Sequence, residues 1–453
     1  HGRVDGRKNG MMNSKMKKLE LKSHNCAGID VGSEKKFVAQ PTEPVKNYST
    51  YTPSLRELVA ELVANGIDSV AMESTGVYGV ILMQMLREAG IEVFLVHPKY
   101  TRSRSSKKTD VEDCQWIQEL HKVDLLEPSF VPEVEIEQLR AYVRLRETHI
   151  QSQAQAVNRM QKALILMNLR LDTVLSQVHG SSGMKMIRAI LAGERDPEAL
   201  LALCDGRIKK NKAEAVKAAL DGYYQPHHLF ALAQAVQAFD FIAEQIQACD
   251  QHMEEQLQAM TAQLEPVAPE ALPKAKPIRH HRPEITELQR YVYQLCGHKD
   301  QTQLPGFTDY SLIRIIAEVG TDLSAFPNAK HFTSWLKLAP RQRHSGKSRK
   351  TFRPEAGPRA GQIFRVIAQS ILNSKKLALG AFGRRIRAKK GTPVAIKALA
   401  RKLAVLFYDA ITKGIEYVEK GVKNYQEQFR QRKIKAFLRQ AEELGITLEM
   451  RDL

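Results

Sequence analysis

Hydrophobic and polar positions follow different periods in different parts of this chain. Near its beginning the apolar runs are short and sharply bounded: "HNCAGIDVG", "KKFVAQ", "DSVAME" and "IEVFLVH". Short runs of this kind, rich in β-branched residues, predict strands. Between them "GVYGVILMQMLREAG" spaces its apolar residues as an amphipathic helix does, and "DVEDCQWIQELHK" reads as a helix with a polar face. Strands alternating with helices predict an α/β domain over residues 24–130, with a β-hairpin at its start.

From 131 to 264 the pattern changes to helix formers. In "VRLRETHIQSQAQAVNRMQKALILM" the residues Val143, Ile150, Val157 and Leu164 recur every seventh position, and Met160 and Met167 fill d positions between them. Arg146 and Gln153 occupy the earlier d positions, which predicts an imperfect coiled coil, and a dimerising one. Residues 265–300 read as a linker, opening on the proline-, histidine- and alanine-rich stretch "EPVAPEALPKAKPIRHHRP". A mostly helical domain is expected over 301–420 and a helical tail over 421–453. Residues 1–23 read as a flexible N-terminus, of which "HGRVDGRKNG", preceding Met11 and Met12, is taken as a cloning remnant.

Charge then separates the zones. The 453 residues carry a net charge of +18. Residues 331–402 hold 19 lysines and arginines against one acid, Glu355, so this segment accounts for the whole excess. Such concentration points to a nucleic-acid-contacting module rather than a generally basic surface. The cations at issue are Arg341, Arg343, Lys347, Arg349, Lys350 and Arg353, then Arg384, Arg385, Arg387, Lys389 and Lys390 in "GRRIRAKKG". Apolar runs stay well short of the roughly 20 residues that span a bilayer. Five cysteines without short spacing exclude a zinc finger and a disulfide framework, and fit a reducing cytoplasm. His280 and His281 lack a second ligand pair at finger spacing and read as solvated linker residues.

Acids recur where elements end. Asp30 closes the run "GIDVG", Glu73 closes "VAMES", and Asp110 and Asp113 stand three apart in "KTDVEDC", on one face of a helix. Four oxygen ligands at one sheet edge would suit one or two Mg²⁺ ions. The competing reading makes Asp110 and Asp113 a helix cap and first-turn charge, and Glu112 and Glu34 are rival ligands. In the basic tract, Ser345 precedes a glycine; Ser348 and Thr351 are read as phosphate contacts.

Together "GIDVGSEKKFVA", "AMESTGVYG", "VHPKYTRSRSSKKTDVEDC", "LPGFTDYSLIRIIAEVG", "FPNAKHFTSWLKLAPRQRHSGKSRK" and "KGTPVAIKALARKLAVLFY" resemble, in order, the DEDD transposases of bacterial insertion sequences. This is the group numbered one-ten, with its one-one-one-one subgroup, related to the Piv DNA invertases. The resemblance covers roughly 24–170 and 303–412. It implies a RuvC-like, RNase H-type N-terminal domain with catalytic and metal-holding Asp30, Glu73, Asp110 and Asp113, and a C-terminal transposase domain with Ser345 as nucleophile. It further implies a structured bridge RNA that pairs with donor and target double-stranded DNA, and dimers assembling into tetramers whose active sites join domains of different subunits. A bacterial cytoplasmic protein, on the nucleoid when bound to DNA, follows. Gly383 stands where the family commonly has an aromatic residue, which puts a stacking role there in doubt. Two other functions compete: a RuvC-like nuclease in which water attacks, and a non-catalytic nucleic-acid scaffold.

Overall fold

The computed structural model describes residues 25–73, 76–101, 109–340, 344–345, 348–349 and 357–443. The chain forms two compact units, 1–131 and 132–453.

The first unit is built on a five-stranded sheet. Its strands are β1 (Cys26–Val31), β2 (Lys35–Ala39), β3 (Lys46–Ser49), β4 (Ser69–Glu73) and β5 (Glu92–Val96), in the order β3-β2-β1-β4-β5. β1 pairs antiparallel with β2, and β2 with β3, while β1–β4 and β4–β5 are parallel. The expected opening hairpin is therefore present. The helices are α1 (Thr52–Ala64), α2 (Val80–Glu88), α3 (Pro98–Thr101) and α4 (Asp110–Lys122). β3 and α1 went unread in the sequence; "KNYS" is too short and polar for its period to register.

Both faces of the sheet are covered, which explains why β1 is apolar almost throughout. Ala27, Ile29 and Val31 of β1 join Val70 and Met72 of β4 in a core with Leu55, Leu58 and Leu62 of α1 and Leu82 and Leu86 of α2. Ala71 of β4 turns the other way, into a smaller core with Ile117 of α4. Because strand side chains alternate, Gly28 and Asp30, and likewise Ala71 and Glu73, belong to the α4 side.

The second unit is helical. α5 (Val134–Leu166) and α10 (Pro226–Thr261) form a long antiparallel pair, with Gln256 Nε2 donating to the Glu135 carbonyl at one end. At the other end α6 (Leu171–Val174), α7 (Ser181–Leu191), α8 (Pro197–Ala202) and α9 (Gly206–Leu220) close a core that includes Met160, Leu164, Ile187, Val216 and Val236. The seven-residue stripe of α5 is thus packed within this chain, with Val143 and Leu164 buried and Ile150 and Val157 half-buried. Arg146, the residue that breaks the heptad, is itself buried: it pairs with Asp250 of α10 and donates to the Tyr310 hydroxyl at 2.7 Å.

The segment read as a linker contains α11 (Leu288–Leu295), whose Leu288, Tyr291 and Val292 are buried. Beyond it lie α12 (Asp309–Val319), α13 (Ala329–Trp335), α14 (Arg359–Leu372), α15 (Ala378–Lys390), α16 (Thr392–Lys413) and α17 (Ile415–Glu443). Phe307, Phe332, Phe364 and Phe407 meet edge-on or stacked at the centre of this bundle. α12 is clamped to α5: Arg140 donates to the carbonyls of Ala317 and Glu318, Arg144 grips the Glu318 carboxylate with two hydrogen bonds, and Arg314 pairs with Glu147. The helical spacer and the C-terminal bundle are therefore one unit.

Candidate active site and nucleic-acid interface

α4 lies on β1 because β1 has a glycine at the crossing. A Cβ at Gly28 would stand 2.3 Å from the Cys114 carbonyl oxygen and 2.4 Å from the Gln118 amide nitrogen, closer than any side chain permits. Gln118 Nε2 donates to the Cys26 carbonyl at 3.0 Å. The Gln118 side chain thus reaches back to Cys26, and His121, later in α4, lies 2.9 Å from the hydroxyl of Ser69 at the start of β4, so the helix runs antiparallel to these strands. One helical turn rises about 5.4 Å and two strand residues about 6.6 Å. The same register carried one turn further brings the first turn of α4, with Asp110 and Asp113, toward Asp30. Ile29 pairs with Met72, so the next residues on these parallel neighbours are Asp30 and Glu73.

Of the competing reading of the α4 acids, first-turn charge holds for Asp110 and Asp113, while the cap itself is another residue. Thr109 is the cap: its hydroxyl accepts from the Glu112 amide at 3.3 Å, and the Glu112 carboxylate accepts from the Thr109 amide at 3.2 Å. This reciprocal box gives Glu112 a structural role of its own at the helix start. Asp110 is exposed and Asp113 half-buried, neither acting as the cap. Glu34 is exposed between β1 and β2.

Three residues at this edge escaped the sequence reading. Thr101, buried in α3, donates its hydroxyl to Glu73 Oε1 and so orients that carboxylate. Lys36 is fully buried, donates to the Gly32 carbonyl, and pairs across the hairpin with Val31, next to Asp30. Burial holds its ammonium below the usual lysine range, and the nearby Asp30 charge opposes that shift. Gly28 is the third. Cys114, although beside the acids, is no nucleophile: burial pushes its thiol up to about 12, with the Asp30 charge adding to the shift.

The donor set of Asp30, Glu73, Asp110 and Asp113 is all oxygen, which fits a hard divalent cation. Among the described residues, no three His, Cys, Asp or Glu side chains are gathered closely enough to hold an ion.

In the helical unit, Ser345 lies in a small hairpin, β6 (His344–Ser345) with β7 (Ser348–Arg349), where Ser345 pairs with Ser348. Only Gly346 and Lys347 separate the strands. Arg341, Arg343, Lys347, Lys350, Thr351 and Arg353 lie outside the described residues.

The α15 cations divide. Arg385, Lys389 and Lys390 are exposed. Arg384 instead donates to the carbonyls of Leu372 and Ser374 at 3.1 and 2.6 Å, closing the end of α14, and Arg387 donates to Asn373 Oδ1 at 2.9 Å. Arg384 thereby caps the end of α14 through one nitrogen of its guanidinium, a structural role beside the one read from the sequence. Gly383 is buried, and a Cβ there would meet Leu372 Cδ1 at 2.7 Å, so the position faces the core and offers no stacking surface. No described helix is long and apolar enough to cross a membrane.

A mixed α/β domain followed by a helical domain that carries the chain's positive charge fits a protein that contacts nucleic acid. Comparison with protein families gives the class directly: residues 27–168 match a DEDD transposase family of the IS110 type, and residues 301–380 match the transposase IS116/IS110/IS902 family. With both matches in this order, the chain is similar to IS110-family transposases over these two stretches, which supports a transposase of a mobile element. A search of curated proteins returned no match.

Proposed function

We propose that this protein is an RNA-guided DNA recombinase in which Ser345 is the nucleophile and Asp30, Glu73, Asp110 and Asp113 form the metal-holding acid cluster. The observation that carries the reading is the crossing of α4 over β1 at Gly28, which directs the first-turn acids toward the carboxyl ends of two parallel strands, where Asp30 and Glu73 stand. The strand order β3-β2-β1-β4-β5, antiparallel on one side and parallel on the other, supports a RuvC-like, RNase H-type domain.

Magnesium held by the four carboxylates would supply stabilisation of charge on the phosphate oxygens and activation of a hydroxyl. Ser345 attacks the scissile phosphorus: the Oγ–P bond forms, the P–O3′ bond breaks, and the serine proton ends on the departing 3′ oxygen. The DNA 5′ phosphate remains on Ser345. A different 3′ hydroxyl then attacks the same phosphorus, its O–P bond forms, the Oγ–P bond breaks, and its proton returns to the serine. One phosphodiester is exchanged for another, so no external energy source is required. Arginines of the tract around Ser345 hold the phosphate with paired hydrogen bonds. Thr101 keeps Glu73 oriented, and the Lys36 ammonium offsets part of the Asp30 charge.

A bridge RNA would choose the donor and target DNA, the protein reading duplex shape and backbone. Tetramers, with acids and serine drawn from different subunits, belong to the same proposal.

The test is to incubate the protein and its co-purified RNA with Mg²⁺ and end-labelled DNA, then separate the products under denaturing conditions. Label is expected to travel with the polypeptide, to map to the peptide holding Ser345, and to vanish in Ser345→Ala. Label on another residue would remove Ser345 from the mechanism. Cleavage that persists in Ser345→Ala would favour water as the attacking group and a hydrolytic nuclease. Activity that survives Asp30→Ala and Glu73→Ala would leave only a scaffold.

A further inference from the structure

The helical unit has a cavity of about 550 Å³, within the size range of small-molecule sites, with Pro340 in its wall. Its walls are apolar, with Leu338, Leu379, Phe382 and Val405 among them, and Lys397, Arg401 and Lys402 line it as well. The sequence of α16 explains this mixture. Ala395, Leu399, Leu403 and Phe407 are buried in the bundle core. A second stripe, Val394, Lys397, Ala398, Arg401, Lys402 and Val405, follows helical spacing on another face and lines the cavity. This stripe is apolar between its cations, and it lies apart from the face that α16 buries in the core. Phe382 of α15 is half-buried at the cavity, and Lys402 Nζ stands 4.7 Å from its ring centroid. Gln426 of α17, an amide that both donates and accepts, also lines it. No acid is among the described lining residues.

An apolar slot with one aromatic ring, three cations and one amide matches the chemistry of a single nucleotide. A nucleobase has apolar faces and a hydrogen-bonding edge, and it is attached to an anion. We propose that this cavity receives one unstacked nucleobase of a single strand, with its phosphate against Lys397, Arg401 and Lys402. The cavity's Pro340 is five residues from Ser345, at most about 18 Å along an extended chain. The captured base and the attacked phosphate can therefore belong to neighbouring nucleotides. The proposal rests on the reading that the basic helices contact nucleic acid, and it adds a base-dependent component to that contact.

The test uses the full chain and labelled single strands of DNA and of RNA, each either intact or with its bases replaced by abasic sites. Affinity is read by fluorescence anisotropy. The unaltered protein is expected to bind an intact strand about tenfold more tightly than the abasic one, the scale of one base–aromatic stack. The arm that shows the difference identifies the source as DNA or RNA. Ala398→Trp, which puts an indole ring into the cavity, is expected to abolish the difference while leaving abasic binding unchanged. Phe382→Leu, which keeps the volume and removes the ring, is expected to shrink the difference without altering thermal unfolding. Equal binding of intact and abasic strands by the unaltered protein would overturn the base site alone. Absence of binding to any strand would overturn both this site and the reading beneath it. A base-dependent difference untouched by either substitution, with a change in sedimentation of Ala398→Trp, would assign the cavity to a second protein surface and overturn the proposal.

Discussion

Two single residues set conditions for the whole. Gly28 permits the contact of α4 with β1, and the atoms that a Cβ would strike are backbone atoms of Cys114 and Gln118, which cannot rotate away. Gly28→Ala is expected to destabilise the first unit by about 1–3 kcal/mol or more, the cost of overpacking, and to abolish adduct formation by lifting Asp110 and Asp113 from the strand ends. Chemical unfolding and the label-transfer assay check the two effects. Asp309, buried at the start of α12, has its carboxyl pushed up to about 6, chiefly by burial and then by Asp300, with Lys276 opposing. Its folded-state value lies above the unfolded one, so the folded chain binds the proton more tightly. Stability from this residue is complete below about pH 4, falls as pH rises to about 6, and stays reduced above. Asp309→Asn is expected to flatten that slope and to gain up to about 3 kcal/mol at pH 8, read from melting temperatures at pH 5 and pH 8. The acids Asp30 and Glu73 were legible because each ends an apolar run. Lys36 was not: beside the exposed Lys35 it looks like another surface cation, and only strand register shows that it points inward.

At the scale of elements, the heptad of α5 was legible but its partner was not. A stripe of Val143, Ile150, Val157 and Leu164 states that something must cover it, not whether a second copy or α10, some ninety residues later, does so. Arg146 looked like a fault in the coil and is instead its polar anchor, sharing Asp250 with the Glu284 amide, which donates to Oδ2 at 2.9 Å. A buried ion pair is costly to break and less costly to replace whole. Arg146→Met is therefore expected to lose about 3–5 kcal/mol by leaving Asp250 without its cation, while Arg146→Met with Asp250→Leu recovers part of that loss. Urea unfolding of both singles and the double variant gives the coupling directly. The capping box of Thr109 and Glu112 was in plain view as T-D-V-E, yet the carboxylates of Asp110 and Asp113 drew the capping role away from it. The residue that caps is the one whose hydroxyl precedes the first helical turn.

For the molecule as a whole, the sequence located the excess charge but not which cations are available to use it. Arg384 sits in the same basic run as Arg385, Lys389 and Lys390, and the helix period alone does not reveal that the end of α14 supplies two carbonyls to take it. This separates two kinds of variant. Binding through phosphates releases counterions, so the logarithm of affinity falls with the logarithm of salt by about 0.7–0.9 for each phosphate neutralised. Replacing Arg385, Lys389 and Lys390 by glutamine is expected to lower that slope by up to about 2–3 on duplex or single-stranded nucleic acid and to leave the unfolding transition in place. Arg384→Gln is expected to do the reverse, keeping the salt slope and lowering the melting temperature, because what it loses is the cap of α14. Should the triple variant keep the full slope, the contact face lies elsewhere in the basic segment, and α15 serves the bundle rather than the nucleic acid.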